Sequence, residues 1–359
     1  MAVLNKLSLI LILACFVLFS SCSRKDEHDL DVVCEMNDDG DYVIKWEIFP
    51  PINGNVKIYR SDNPDNFVNK EVESELPVQD GMAIMKKGDF VRSYFKLVFG
   101  KKLHTVISDR AIKTENILNF REVGGYYNRY GHQIKWGKLY RSGLLTNASK
   151  SDIALLKALH IKTAVDLRTD EEIASIPSAF FTEQTYRIPL KGVEPQAYIG
   201  KVISGQMKKG DALVFQQDMY VALVKNNTDN FKRYFEILAD SSNYPIVVYC
   251  TLGKKSAGII MFLTLEALDV DAEQNYQDYM LSNSYMNFSK IVNKADMLSP
   301  EVQEALTTLL APQREAIEYT HKYIEKEYGS FNNYFEKELQ LTALKRVKLR
   351  ELLLYPKNY

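Results

Sequence analysis

The sequence predicts two folded units in series: an all-β sandwich, then an α/β domain on a central, mainly parallel sheet. Three observations carry this. Short alternating apolar runs separated by turn residues fill residues 31–111, as in antiparallel strands stacked in two sheets. Beyond residue 112, β-branched runs are interleaved with stretches of helical periodicity, the pattern of strands with helices between them. Finally, Pro245-Ile246-Val247-Val248-Tyr249 ends at Cys250, passes through a short loop containing Gly253, and enters an apolar helical run from Ile259 to Leu268. Strand, loop and helix in that order set the Cys250 sulfur over a helix N-terminus. There backbone N–H groups converge and the dipole favours negative charge. Both effects lower a thiol pKa and create an anion site. The plainer role for a cysteine ending a buried strand is inert core.

The bounds fit this organisation. A chain of 359 residues has room for two domains and enough core to fold unaided. Its formal net charge of −1 gives no electrostatic reason to expect a nucleic-acid partner. No segment repeats at a fixed period.

The first stretch reads as a targeting segment. Lys6 precedes an apolar run from Leu7 to Phe19, broken only by Ser8, and Ser20, Ser21 and Cys22 follow. The run is too short to span a bilayer as a helix, so residues 1–21 read as a signal peptide. Leu18-Phe19-Ser20-Ser21-Cys22 resembles a bacterial lipobox, which implies a lipid on Cys22. The alternative is a soluble secreted protein in which Cys22 merely follows the signal. Residues 22–30 are polar and charged, a tether. They also resemble the acid-rich tags of some surface lipoproteins. The expected location is the cell envelope, lipid-anchored at the outer membrane on its periplasmic or surface side. With Cys15 removed and Cys22 lipidated, Cys34 and Cys250 remain in separate units, which argues against a disulfide framework.

Strands are expected at Val32–Met36, Tyr42–Glu47, Val56–Tyr59, Met82–Met85, Ser93–Phe99 and Thr105–Ser108. Asp38-Asp39-Gly40 and Ile52-Asn53-Gly54 supply turns. Trp46 and Tyr59 are the expected core anchors, and Cys34 is a strand residue. At the level of pattern the unit resembles a fibronectin type III module, a spacer or interaction module without chemistry of its own.

In the second unit, residues 112–359, Asn119-Phe120-Arg121-Glu122-Val123-Gly124-Gly125 and Gly137-Lys138-Leu139-Tyr140-Arg141-Ser142-Gly143 precede an amphipathic helix from Ser151 to His160. Thr163 to Arg168 is a buried strand ending in charge. Ligands of open α/β sheets sit beyond the C-terminal strand ends, so Arg168 and Cys250 are placed to meet there. Arg168 is the expected cation for a phosphate. Its alternative is an ion pair with Asp166, Glu171 or Glu172, and Arg121 and Arg141 share that ambiguity. Tyr186–Leu190 reads as a strand, and Tyr220–Val224 and Phe231–Leu238 read as helical. Asp211 and Asp218 are candidate acids, or ordinary surface residues. Helices are expected from Pro300 to Tyr355, with a basic run at Lys345, Arg346, Lys348 and Arg350.

These segments, in this order, resemble the bacterial tyrosine- and lipid-phosphatase branch of the cysteine-dependent phosphatases, over residues 114 to 355. That branch reads His-Cys-x-x-Gly-Lys-Asp-Arg-Thr-Gly at its loop. Cys250, Gly253, Lys254 and Gly258 match, whereas Tyr249, Lys255, Ser256 and Ala257 stand at its His, Asp, Arg and Thr. The resemblance implies a tyrosine/dual-specificity-phosphatase-like fold and hydrolysis through a cysteinyl-phosphate on Cys250. It implies a phosphate site at Gly253, Lys254, Lys255, Ser256, Gly258 and Arg168, no metal or cofactor, and a phosphorylated protein or lipid as ligand. Loss of the arginine and aspartate implies weak hydrolysis. The alternatives are an inactive pseudophosphatase that binds a phosphorylated ligand, and a surface scaffold.

Overall fold

The computed structural model describes residues 28–101, 103–177, 182–286 and 295–356. The expected signal peptide, Cys22 and most of the tether lie outside the described residues.

The first unit is two antiparallel sheets. Strands β1 (Asp29–Met36), β2 (Tyr42–Phe49) and β5 (Met82–Met85) make one, in the order β1-β2-β5. Strands β3 (Asn55–Ser61), β4 (Val72–Pro77), β6 (Tyr94–Phe99) and β7 (Leu103–Ile107) make the other, in the order β4-β3-β6-β7. One buried cluster gathers Cys34, Ile44 and Trp46 from the first sheet with Val56, Ile58, Leu97 and Phe99 from the second. Trp46 meets Phe99 edge to face at 6.0 Å and donates Nε1–H to Val78 O at 2.8 Å. Tyr59 is only half-buried, so it is no core anchor. Strand β4 was not expected, because Val-Glu-Ser-Glu-Leu-Pro sits at a sheet edge with every residue at least partly exposed. It needs no apolar alternation there.

The second unit carries a five-stranded sheet in the order β11-β10-β12-β9-β8. Strands β9 (Leu139–Ser142), β10 (Thr163–Asp166), β11 (Gln184–Arg187) and β12 (Ile246–Tyr249) are parallel. Strand β8 (Arg121–Glu122) joins antiparallel at one edge. Alternation along the strands feeds two cores. Leu139, Val165, Ile246 and Val248 pack with α3 (Lys209–Asn226), α4 (Thr228–Leu238) and α5 (Ser256–Ala267). Tyr140, Ala164, Val247 and Tyr249 pack with Leu156 and Leu159 of and beside α1 (Lys150–Ala158). Every residue of α5 is buried, because α6 (Ala272–Met280) and α8 (Arg314–Tyr328) cover its outer side. Further helices are α2 (Asp170–Ser175), α7 (Pro300–Leu310) and α9 (Ala343–Leu353).

The units are keyed together. Trp136 belongs to the buried cluster of the first unit, and its Nε1–H donates to Val106 O at 2.9 Å. Gln133 Nε2 donates to Val106 O at 2.8 Å and to Thr105 Oγ1 at 3.0 Å. Arg92 pairs with Glu122 at 2.9 Å, both fully or nearly fully buried.

Candidate active site

Strand registry places the site. Asp166 is level with Tyr249, and Tyr249 with Ser142, so Arg168, Cys250 and Gly143 emerge at one end of the sheet. Cys250 follows β12 directly, and five loop residues, 251–255, lead to α5.

The loop is shaped from behind. Leu144 N donates to Thr251 O at 3.2 Å. Asn119 Nδ2 donates to Leu252 O at 3.2 Å and Gly253 O at 3.0 Å. Arg141 Nη2 donates to Gly253 O at 2.8 Å. With these carbonyls held, the amides of Ala257 and Gly253 favour the Cys250 thiolate. Burial still dominates and pushes the Cys250 thiol above its ordinary value. Glu172 adds to that, while the two amides and Lys255 oppose it.

Two glycines make the geometry possible. Gly253 has φ +66°, and a Cβ there would fall 2.5 Å from the Ser142 carbonyl, so any other residue would force the loop off β9. A Cβ at Gly258 would come within 3.3 Å of the Tyr279 ring and 3.4 Å of Arg141 Nη2. Both are therefore shape residues. Asn119 itself sits at φ +56°, a left-handed conformation that asparagine tolerates.

Beneath the loop lies a buried cationic network. Arg141 Nη1 pairs with Asp278 at 2.8 Å, and Arg121 donates to Asn119 Oδ1, to Asp278 O and to Ser282 Oγ. Burial works against the Asp278 charge, but Arg121, Arg141 and Arg110 outweigh it and hold its carboxyl below the usual range. Arg121 and Arg141 are thus loop supports rather than borders of the crevice.

Two of the expected phosphate ligands, Arg168 and Lys255, are engaged by protein partners. Arg168 donates through Nη2 to Asp166 Oδ2 at 2.8 Å, through Nε to Oδ1 at 3.0 Å, and through Nη1 to Ile176 O at 2.8 Å. Tyr249 OH adds a 2.7 Å bond to the same carboxylate. The guanidinium is a brace between β10, β12 and the segment after α2. Lys255 pairs with Glu194 and donates to Val193 O at 3.3 Å. A carboxylate, not an open phosphate site, holds it. Ser256 opens α5 and is buried. Of the candidate acids, Asp211 caps α3 through Lys208 N at 3.0 Å and Asp218 lies exposed on that helix. In the basic run, Arg346 and Arg350 both pair with Asp269.

Lys254 is buried beside Cys250, and burial together with Lys255 pushes its ammonium down to about 7. A lysine depressed on folding binds fewer protons folded than unfolded between the two pKa values, so this group makes stability rise with pH from about 7 toward 10.5. An anion on the loop favours the charged form, so its binding is coupled to uptake of a proton by Lys254. Sulfate, which does not titrate in this range, should therefore raise the melting temperature more at pH 6 than at pH 9. An equal shift at both pH values would place Lys254 outside the anion site.

Sequence reasoning missed Glu194 and Asn119 as loop partners. Asn119 lies in a segment that carries the resemblance by its order alone, and nothing local marks Glu194. Among the described residues no helix is long and apolar enough to cross a membrane, and no group of three or more His, Cys, Asp or Glu could hold a metal ion.

A strand leading to a cysteine, a loop shaped by Gly253 and a buried helix thus meet at one end of the sheet. The profile of the tyrosine phosphatase family matches residues 112–355, and the chain belongs to that family. A Cupriavidus necator protein, provisionally named a tyrosine-protein phosphatase, is 26% identical over 236 residues, covering 63% of this chain and 83% of that protein. The triple specificity protein phosphatase PtpB of Mycobacterium tuberculosis is 20% identical over 260 residues, covering 60% of this chain and 89% of the relative. Among solved structures, the core catalytic domain of the PP-IP phosphatase SIW14 from S. cerevisiae covers 52% of this chain and 87% of its own. Its identity is 13% and its TM-score 0.26, an overlap too small to compare the folds.

Proposed function

We propose that the protein hydrolyses phosphomonoesters through a cysteinyl-phosphate on Cys250, slowly. The observation that carries this is the placement of Cys250 directly after the central strand β12, before a loop whose carbonyls are held by Asn119 and Arg141 and which leads into α5. That placement supports a phosphate site built from backbone amides, and the relatives named above carry phosphatase names. The slow rate follows from the side chains. Ser256 supplies no planar fork for two phosphoryl oxygens, and Arg168 is engaged by Asp166. The test is release of 4-nitrophenol from its phosphate by wild type and Cys250→Ser. Turnover that falls to background in the variant supports the proposal, and turnover that survives it sinks the nucleophile.

The burial that raises the Cys250 thiol favours a second reading, a pseudophosphatase that binds a phosphorylated protein or lipid without turning it over. Sulfate stabilisation without any Cys250-dependent turnover would select it.

The proposal places the protein at the outer membrane, held by lipid on Cys22, with residues 31–111 as a fibronectin-III-like spacer. Cys22→Ala should move the protein from the membrane fraction to the soluble one. Retention in the membrane would put the anchor elsewhere.

A further inference from the structure

Any cysteinyl-phosphate route needs a proton for the departing oxygen, and a positioned acid contributes about 10²–10⁴ in rate. Two carboxylates stand at the rim of the Cys250 loop among the described residues. Glu172 is committed on both oxygens. Its Oε1 accepts from Thr251 Oγ1, and its Oε2 accepts from Thr169 N at 2.8 Å as part of the cap of α2. Glu194 is different. Its Oε1 accepts from Lys255 Nζ, and the same ammonium donates to Val193 O at 3.3 Å. Two contacts thus pin residues 193–194 to the last loop residue before α5. Glu194 Oε2 has no hydrogen bond among the described residues, and the side chain is 37% exposed against 8% for Lys255. One carboxylate oxygen is fixed to the loop while the other carries no hydrogen bond among the described residues on a partly exposed side chain. The charge of Glu194 is also felt by Lys254, buried beside the nucleophile.

Resting on the hydrolytic reading above, we propose that Glu194 is the proton donor of the reaction, positioned by Lys255. In the first step the Cys250 thiolate attacks phosphorus. The S–P bond forms, the P–O bond to the leaving group breaks, and the Glu194 proton passes to the leaving oxygen. In the second step the Glu194 carboxylate takes a proton from the attacking water. The new O–P bond forms, the S–P bond breaks, and inorganic phosphate, the thiolate and the protonated acid result. The phosphate dianion prepares the acid. It draws on the Lys255 ammonium that otherwise holds the Glu194 carboxylate.

An acid matters most for a poor leaving group, so two substrates separate chemistry from mere support. Glu194→Gln in the full-length protein should lose about 100-fold in kcat/KM on phenyl phosphate, the lower end for a general acid; that ratio reads the leaving-group step and not the later attack of water. It should lose little on 2,4-dinitrophenyl phosphate, whose leaving group needs no proton. Glu194→Asp should recover part of the phenyl phosphate rate. Equal losses on both substrates, or no loss on either, would overturn the assignment while leaving hydrolysis intact. The same leaving-group dependence appearing in Glu172→Gln and not in Glu194→Gln would move the acid to Glu172. A wild type that turns over neither substrate would remove the hydrolytic reading and this assignment with it.

Discussion

Ser256→Arg is expected to raise kcat/KM for 4-nitrophenyl phosphate by at least about 100-fold, a conservative fraction of the 10³–10⁵ that an arginine on a transferring phosphoryl group contributes in another enzyme class. The argument starts from what the loop keeps. Asn119 and Arg141 hold its carbonyls, and Gly253 keeps its approach to β9. The frame does not depend on residue 256. Ser256 is the first residue of α5, where a longer side chain can extend over the anion that the helix N-terminus attracts. A guanidinium there adds the fork that Lys254 and Lys255 do not supply, the first depressed by burial and the second held by Glu194. The free variant buries an extra cation, so it should melt below wild type and be stabilised more strongly by sulfate. Adding Cys250→Ser must abolish the rate gain. A folded Ser256→Arg variant that gains sulfate binding but no rate would mean that the sulfur is misaligned.

What the sequence made legible followed from locality. A strand that ends in cysteine, a glycine loop and an apolar helix lie within twenty-odd adjacent residues, and their order alone places Cys250. The mainly parallel sheet was legible for the same reason, since each β-branched run carries its own burial pattern. Pairings across long separations were not. Glu194 and Lys255 are 61 residues apart, and no periodicity links them. Arg168 was read as a phosphate cation because strand ends collect ligands. Its partner Asp166 is two residues away, and only the geometry shows that the ion pair and Ile176 O take all three guanidinium nitrogens. Trp136 was invisible as a core residue of the first unit because burial there is made by the other unit's strands. Strand β4 has no apolar face to read.

The last prediction concerns that junction. Glu122→Gln is expected to cost about 3–5 kcal/mol of global stability, the usual cost of stranding one member of a buried ion pair. Glu122 accepts from Gly137 N through Oε1 and pairs through Oε2 with Arg92 at 2.9 Å, with Tyr94 OH at 3.3 Å. Glutamine keeps the shape but removes the charge, and arginine cannot escape by losing its proton. The partner substitution, Arg92→Met, behaves differently because a carboxyl can. Burial already pushes Glu122 above the usual carboxylate range, against the pull of Arg92 and the Gly137 amide. Without Arg92 that upward shift grows. A group whose folded pKa lies above its unfolded one contributes stability below the unfolded value and loses it as pH rises through the folded value. Arg92→Met should therefore be nearly tolerated at pH 5 and clearly destabilised at pH 8, whereas the Glu122→Gln penalty should not grow with pH. Because Trp136 and Gln133 cross the same junction, both variants should lower a single melting transition shared by the two units. Separate transitions, with only one of them moved, would show that the units unfold independently and that the buried pair does not couple them.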